Sequence, residues 1–138
     1  MSRKSDRKHA FCLIFQLDFN KIDINEALDY YLNNYAEEPA SEMDFIIDEI
    51  QGVYNNLDII DKYISQTSAA WDFSRLSKVD LAIMRLATYE IIYENKIDAS
   101  ISINEAVELA KMFSSEDAGK FVNGILGKIV RELDVNES

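Results

Sequence analysis

Four cationic side chains crowd the start of this sequence: Arg3, Lys4, Arg7 and Lys8, relieved only by Asp6. On a helix, Arg3 and Arg7 stand one turn apart and Lys4 and Lys8 fill the neighbouring track, which makes a basic stripe about two turns long. Guanidinium and ammonium groups in such a stripe suit charge-assisted hydrogen bonds to phosphate oxygens. The same stripe equally suits a frayed, solubilising chain end. The residues alone leave both readings open.

The rest of the reactive inventory is thin. His9 and Cys12 are the only histidine and the only cysteine, too few soft ligands for a zinc site. They read as a polar residue and a small apolar one on the first helix. A lone cysteine cannot close an internal disulfide, which fits a reducing compartment. There is no Gly-rich phosphate loop, G-x-S-x-G elbow or H-E-x-x-H pair. The many carboxylates read as solvated helix faces rather than acid–base pairs. These absences predict a binding protein, not an enzyme, with no metal and no cofactor.

Charge sharpens that expectation. The 138 residues carry 25 acidic and 14 basic side chains, a net −11 that by itself argues against nucleic acid. Residues 1–9 hold four cations and one acid, a local +3, leaving −14 for the remainder. Such asymmetry predicts a basic arm for a polyanion and an acidic surface for a basic partner. No apolar run approaches the ~20 residues that span a bilayer, and residues 1–19 lack the core of a signal peptide. A soluble, cytoplasmic protein without a membrane partner is expected.

The elements that must carry these residues are helical. With one proline and four glycines, the chain lacks the turn vocabulary of a sheet of short strands. Apolar residues recur at helical spacing at Ala10, Leu13, Ile14 and Leu17, and again at Ile24, Leu28, Tyr31, Leu32 and Tyr35. A third run from Met43 to Leu57 continues through Ile60, Tyr63, Ile64 and Thr67, with Asn55 and Asn56 marking a break. From Leu76 to Tyr93 the apolar residues cover almost the whole circumference, as in a central helix. Ile103 to Phe113 and Phe121 to Leu133 supply two more stripes. The pattern predicts an all-α fold of about seven helices, a single domain over 1–138. Two sub-bundles, about 1–70 and 75–135, share one core, with polar connectors at 39–41 and 65–74.

Helix starts are marked by a short oxygen-bearing side chain followed three residues later by an acid. Asp23/Glu26, Ser41/Asp44, Ser77/Asp80, Ser102/Glu105 and Ser114/Asp117 all fit. The tetrapeptide Ile-Asn-Glu-Ala, at 24–27 and 103–106, reads as the same start chemistry used twice. Gly119, Gly124 and Gly127 each cost helix stability of up to ~1 kcal/mol. Gly124, beside Asn123, is expected to permit close helix approach.

Three stretches carry a resemblance: Arg75-Leu76-Ser77-Lys78-Val79-Asp80-Leu81-Ala82-Ile83-Met84-Arg85-Leu86-Ala87-Thr88-Tyr89-Glu90, Ile103-Asn104-Glu105-Ala106-Val107-Glu108-Leu109-Ala110-Lys111 and Lys120-Phe121-Val122-Asn123-Gly124-Ile125-Leu126. Together with Arg3-Lys4, Arg7, Ala10-Phe11 and Phe15-Gln16, they closely resemble the NusB family of bacterial transcription antitermination factors. Residues 20–74 match only in helical pattern. The resemblance implies two perpendicular three-helix sub-bundles plus one helix. It also implies binding of boxA RNA in ribosomal RNA leader transcripts with NusE, a small-subunit ribosomal protein, within RNA polymerase elongation complexes that hold other Nus factors.

By position, the resemblance places Arg3, Lys4 and Arg7 against RNA, with Lys8 adding a cation, and Lys111, Lys120 and Phe121 extending the surface. It places Phe15, Asp80, Glu116 and Asp117 toward NusE, where acidic groups suit a basic protein. Phe15 and Phe121 fit the core equally well. Asp6 stands where the family commonly has alanine, Lys4 where arginine is frequent, and Gly127 where aspartate is common. Two other readings remain: a protein-interaction module or homodimer without an RNA role, and an accessory domain of a ribosomal RNA cytosine methyltransferase, which would need a catalytic domain.

Overall fold

A computed structural model describes residues 3–17, 23–36, 39–67, 76–94 and 96–137, the side chains of 135–137 excepted. Arg75 and residues 68–74 of the expected second connector lie outside the described residues. Seven helices make up the described structure: α1 (Arg3–Leu17), α2 (Ile24–Asn34), α3 (Met43–Asn55), α4 (Leu57–Thr67), α5 (Lys78–Tyr93), α6 (Ala99–Phe113) and α7 (Glu116–Glu137). The all-α expectation holds, and the Asn55-Asn56 break falls where α3 passes into α4. Residues 65–67, expected in a connector, are instead the last turn of α4.

α5 is the hub, packing against α1, α3, α4, α6 and α7. Its all-round apolar pattern demands this: every residue from Ala82 to Glu90 is buried. Ile46, Ile50, Ile60, Ile64, Ile83, Met84, Leu126 and Ile129 are almost wholly enclosed and join the helices in one core. At roughly 1.5–3 kcal/mol for each large side chain removed from water, this core is the main source of stability. Arg85 of α5 adds a two-pronged contact to Asp61 of α4, each N–O distance 2.9 Å.

The caps only partly follow the expected pairings. Asp23 accepts from the Glu26 amide and Ser77 from the Asp80 amide, as read. α6 starts earlier than expected, capped by Asp98, whose carboxylate accepts the Ser100 amide and is held below the usual range by that bond. Ser102 and the second Ile-Asn-Glu-Ala therefore lie inside a helix. α7 is capped by Ser115, not Ser114, through the Ala118 amide. α3 has no side-chain cap of its own. The Asp6 carboxylate, reaching across from α1, instead accepts the Ser41 and Glu42 amides at 2.9 and 3.0 Å.

The close helix approach expected at Gly124 occurs at Gly52 instead. Gly124 is exposed, and a Cβ there would meet nothing within 4 Å, so close helix approach does not explain it. Gly52, which gave no signal in the sequence, needs its missing side chain, because a Cβ would fall 2.2 Å from the Tyr89 ring. Bare backbone at that position lets α3 seat against α5.

Candidate nucleic-acid and partner interface

The basic stripe begins on the first turn of α1, and the structure splits its four cations into different roles. Arg3 is exposed. Its guanidinium lies 3.9 Å above the Phe45 ring and 3.5 Å from the Glu42 carboxylate, both belonging to the start of α3. Lys4 is exposed on the other side, with its ammonium 3.9 Å from Glu105 of α6. Lys8 is half-buried, its Nζ 5.8 Å above the Phe113 ring.

Arg7 departs from the expected surface role. It is 6% exposed, and its Nε donates to both Glu90 oxygens at 3.1 and 3.0 Å. Ser102 Oγ donates to the same carboxylate at 2.8 Å. The Glu90 carboxylate thereby ties α1 and α6 to α5, and the Arg7 guanidinium is not free for a phosphate. The reason is energetic: a buried Glu90 without a counter-charge would cost several kcal/mol. Asp6 is also turned inward as the α3 cap, so it takes less from the field of the tip than its sequence position suggests. His9 follows, buried with Nδ1 3.0 Å from the Tyr31 hydroxyl.

Beneath this pair lies a second carboxyl. Glu49 of α3 is 1% exposed, and neither of its oxygens has a hydrogen-bond partner among the described residues. Burial, reinforced by the facing Glu90 carboxylate, pushes its pKa up to about 11, against a smaller opposite pull from Arg7. At neutral pH Glu49 is therefore protonated, and Arg7 and Glu90 form a charge-neutral pair beside it. Sequence reasoning missed this group, since Glu49 reads locally as one more acid on an amphipathic helix.

A groove of about 160 Å³ runs between α1 and α6, lined by Lys4, Ser5, Lys8, Glu105, Glu108, Leu109 and Met112. It leads the tip toward the C-terminal end of α6, where Lys111 is exposed beside Met112. The aliphatic stem of Lys111 lies over Gly119, where a Cβ would come within 3.0 Å of Lys111 Cγ. This contact joins α6 to the first turns of α7, which carry exposed Lys120 and half-buried Phe121. Lys4 and Lys8 share the α1–α6 groove, while Lys111 belongs to the α6–α7 contact. Phe121 packs against the core while keeping part of its ring accessible, so the two readings of it merge.

The expected partner residues are less uniform. Glu116 and Asp117 are exposed in the first turn of α7, and Phe15 is half-buried against the core. Asp80 offers no charge to the surface. It is buried at the start of α5, and its Oδ1 has no hydrogen-bond partner among the described residues. The acidity is also more localised than the overall charge suggests. Residues 23–61 contain eleven acids and no Lys or Arg, so they account for the whole net −11 while the remaining fourteen acids and fourteen cations balance. This stretch, which includes α2 and α3, is the acidic half of the molecule.

Among the described residues no three His, Cys, Asp or Glu side chains cluster to hold a metal, and no helix is long and apolar enough to cross a membrane. The cationic features lie along a surface rather than converging in an enclosed cleft. Fold and site together define a small all-helical protein that presents a divided cationic surface on an acidic scaffold.

The model of the NusB family matches residues 4–131, and the chain belongs to the NusB family. It is 44% identical over 131 residues to the transcription antitermination protein NusB of Acetivibrio thermocellus, covering 95% of this chain and 90% of that one. The Bacillus subtilis protein of the same name is 37% identical over 134 residues, covering 97% and 98%. Among solved structures, Thermotoga maritima NusB superposes with a TM-score of 0.81 at 36% identity, over 96% of this chain and 92% of that one. A structure of the antitermination factors NusB and NusE in complex with dsRNA shares the fold, with a TM-score of 0.82 at 23% identity over 94% and 96%.

Proposed function

We propose that this protein is a transcription antitermination factor that binds boxA RNA of ribosomal RNA leader transcripts together with NusE and catalyses no covalent step. It does so in the cytoplasm, where nascent transcripts and ribosomal proteins meet. The observation that carries the reading is the exposed Arg3–Lys4 pair, with Lys4 and Lys8 sharing the α1–α6 groove; exposed Lys111 and Lys120 and half-buried Phe121 extend the proposed surface. Cations at this spacing contact phosphates, and a partly exposed Phe121 ring can stack on an unpaired base.

Arg7 supports the site from below by fixing α1 on α5 through Glu90. The NusE-facing group consists of Phe15, Glu116 and Asp117, while Asp80 is buried at the start of α5. The acidic field of residues 23–61 adds long-range attraction for a basic ribosomal protein and speeds its approach. It also repels RNA, so the pair of proteins binds boxA better than this chain alone.

The test is fluorescence anisotropy of labelled boxA RNA with and without purified NusE across a salt series. RNA affinity that falls with salt and rises on adding NusE is the expected result. If NusE binds the protein but leaves RNA affinity unchanged, the cooperative reading fails.

A further inference from the structure

The two exposed cations of the tip are not idle. Arg3 is held by Glu42 at 3.5 Å and stacked on Phe45, while Lys4 is held by Glu105 at 3.9 Å. The two carboxylates come from different helices, α3 and α6, on opposite sides of α1. Glu42 has no capping bond of its own side chain to make at the start of α3, because Asp6 accepts the amides there. Glu105 lines the groove together with Lys4 and Lys8.

We infer that Glu42 and Glu105 are built-in competitors for phosphate, and that they set both the affinity and the ligand selectivity of the tip. A ligand must displace Glu42 before it gains Arg3, and Glu105 before it gains Lys4. A single phosphate displaces one at a time, with little net gain, since one anion replaces another at the same cation. A phosphodiester strand supplies two linked phosphates, and displacing the first carboxylate raises the local concentration of the second phosphate at its own cation. The carboxylates thus favour a strand over isolated phosphate or mononucleotides. This rests on the RNA-binding reading above for the identity of the strand, and on the two ion pairs alone for the competition.

The test compares Glu42→Gln, Glu105→Gln and the double variant with wild type. Glu108→Gln serves as control, because it removes the same charge from the same groove without an ion pair to Lys4. Anisotropy of labelled boxA RNA is read at low and high salt, and retention on heparin, a sequence-blind polyanion, is measured in parallel. Each paired variant is expected to bind RNA about 2–5-fold more tightly than wild type at low salt, and the double variant about 10-fold. The Glu108→Gln gain is smaller, and all differences fade at high salt. Inorganic phosphate competes better against the paired variants than against wild type.

Gains no larger than that of Glu108→Gln, with wild type binding RNA, overturn the competition. No RNA binding by any form, with heparin retention still raised in the paired variants, overturns the RNA reading and leaves the competition standing.

Discussion

Replacing Glu49 by glutamine makes the sharpest test of the buried charge arrangement. In the unfolded chain Glu49 loses its proton near its ordinary value of 4.5, whereas in the folded protein it keeps the proton up to about 11. Between those limits the native state binds one more proton than the unfolded state, so stability falls as pH rises, by ~1.4 kcal/mol per pH unit. Glutamine keeps the shape but needs no proton. Its advantage over glutamate is therefore close to nothing at pH 4.5. It grows to about 3 kcal/mol at pH 7 and about 6 kcal/mol at pH 9, ceilings that imperfect amide geometry lowers. Urea denaturation of both proteins at pH 5, 7 and 9 reads the difference directly. The signature is divergence: Glu49→Gln gains on wild type with every pH step. Parallel pH profiles would refute a protonated Glu49, and so would a variant less stable than wild type at pH 9.

Three further outcomes follow from the same structure. Arg7→Ala should cost about 3–5 kcal/mol of stability by stranding Glu90, whereas Arg3→Ala should leave the melting temperature within a degree or two and weaken RNA binding. Equal melting shifts would remove the distinction drawn between the two arginines. Gly52→Ala forces a methyl group into the Tyr89 ring and should destabilise by about 1–3 kcal/mol, checked by thermal melting; a neutral result would mean that α3 and α5 have slack there. Gly124→Ala should stabilise by about 0.5–1 kcal/mol, since the site is open and helical, and a loss of stability in the same melts would contradict that geometry.

Much of this architecture was legible because it is local. Amphipathic periodicity recurs within every helix, so the seven elements, the Asn55-Asn56 break and the all-round burial of α5 could be read from neighbouring residues. Asp23 and Ser77 cap as read for the same reason. What escaped is what depends on partners distant in the chain. Arg7 and Glu90 are 83 residues apart, and nothing near Arg7 distinguishes a buried ion pair from a surface cation. Asp6 reads locally as an acid that only dilutes the basic tip, because the amides that donate to it lie 35 and 36 residues away. Ser102 carried the signature of a cap but lies inside α6, because Asp98 offers an equally good cap four residues earlier. Gly124 differs from its expected role and Gly52 gives no signal because a glycine reports an absence, and only the neighbouring element shows whether something fills it.

The Asp6 bridge has a consequence for how the basic tip can change over evolutionary time. By accepting the Ser41 and Glu42 amides, α1 lends α3 the cap its own sequence lacks. The turn that carries Arg3 and Lys4 is thus also a structural part of another helix. Losing that turn would remove two cations and fray the start of α3 at the same time. Drift in RNA preference is therefore confined to exchanging the exposed side chains on a turn whose backbone position is already committed.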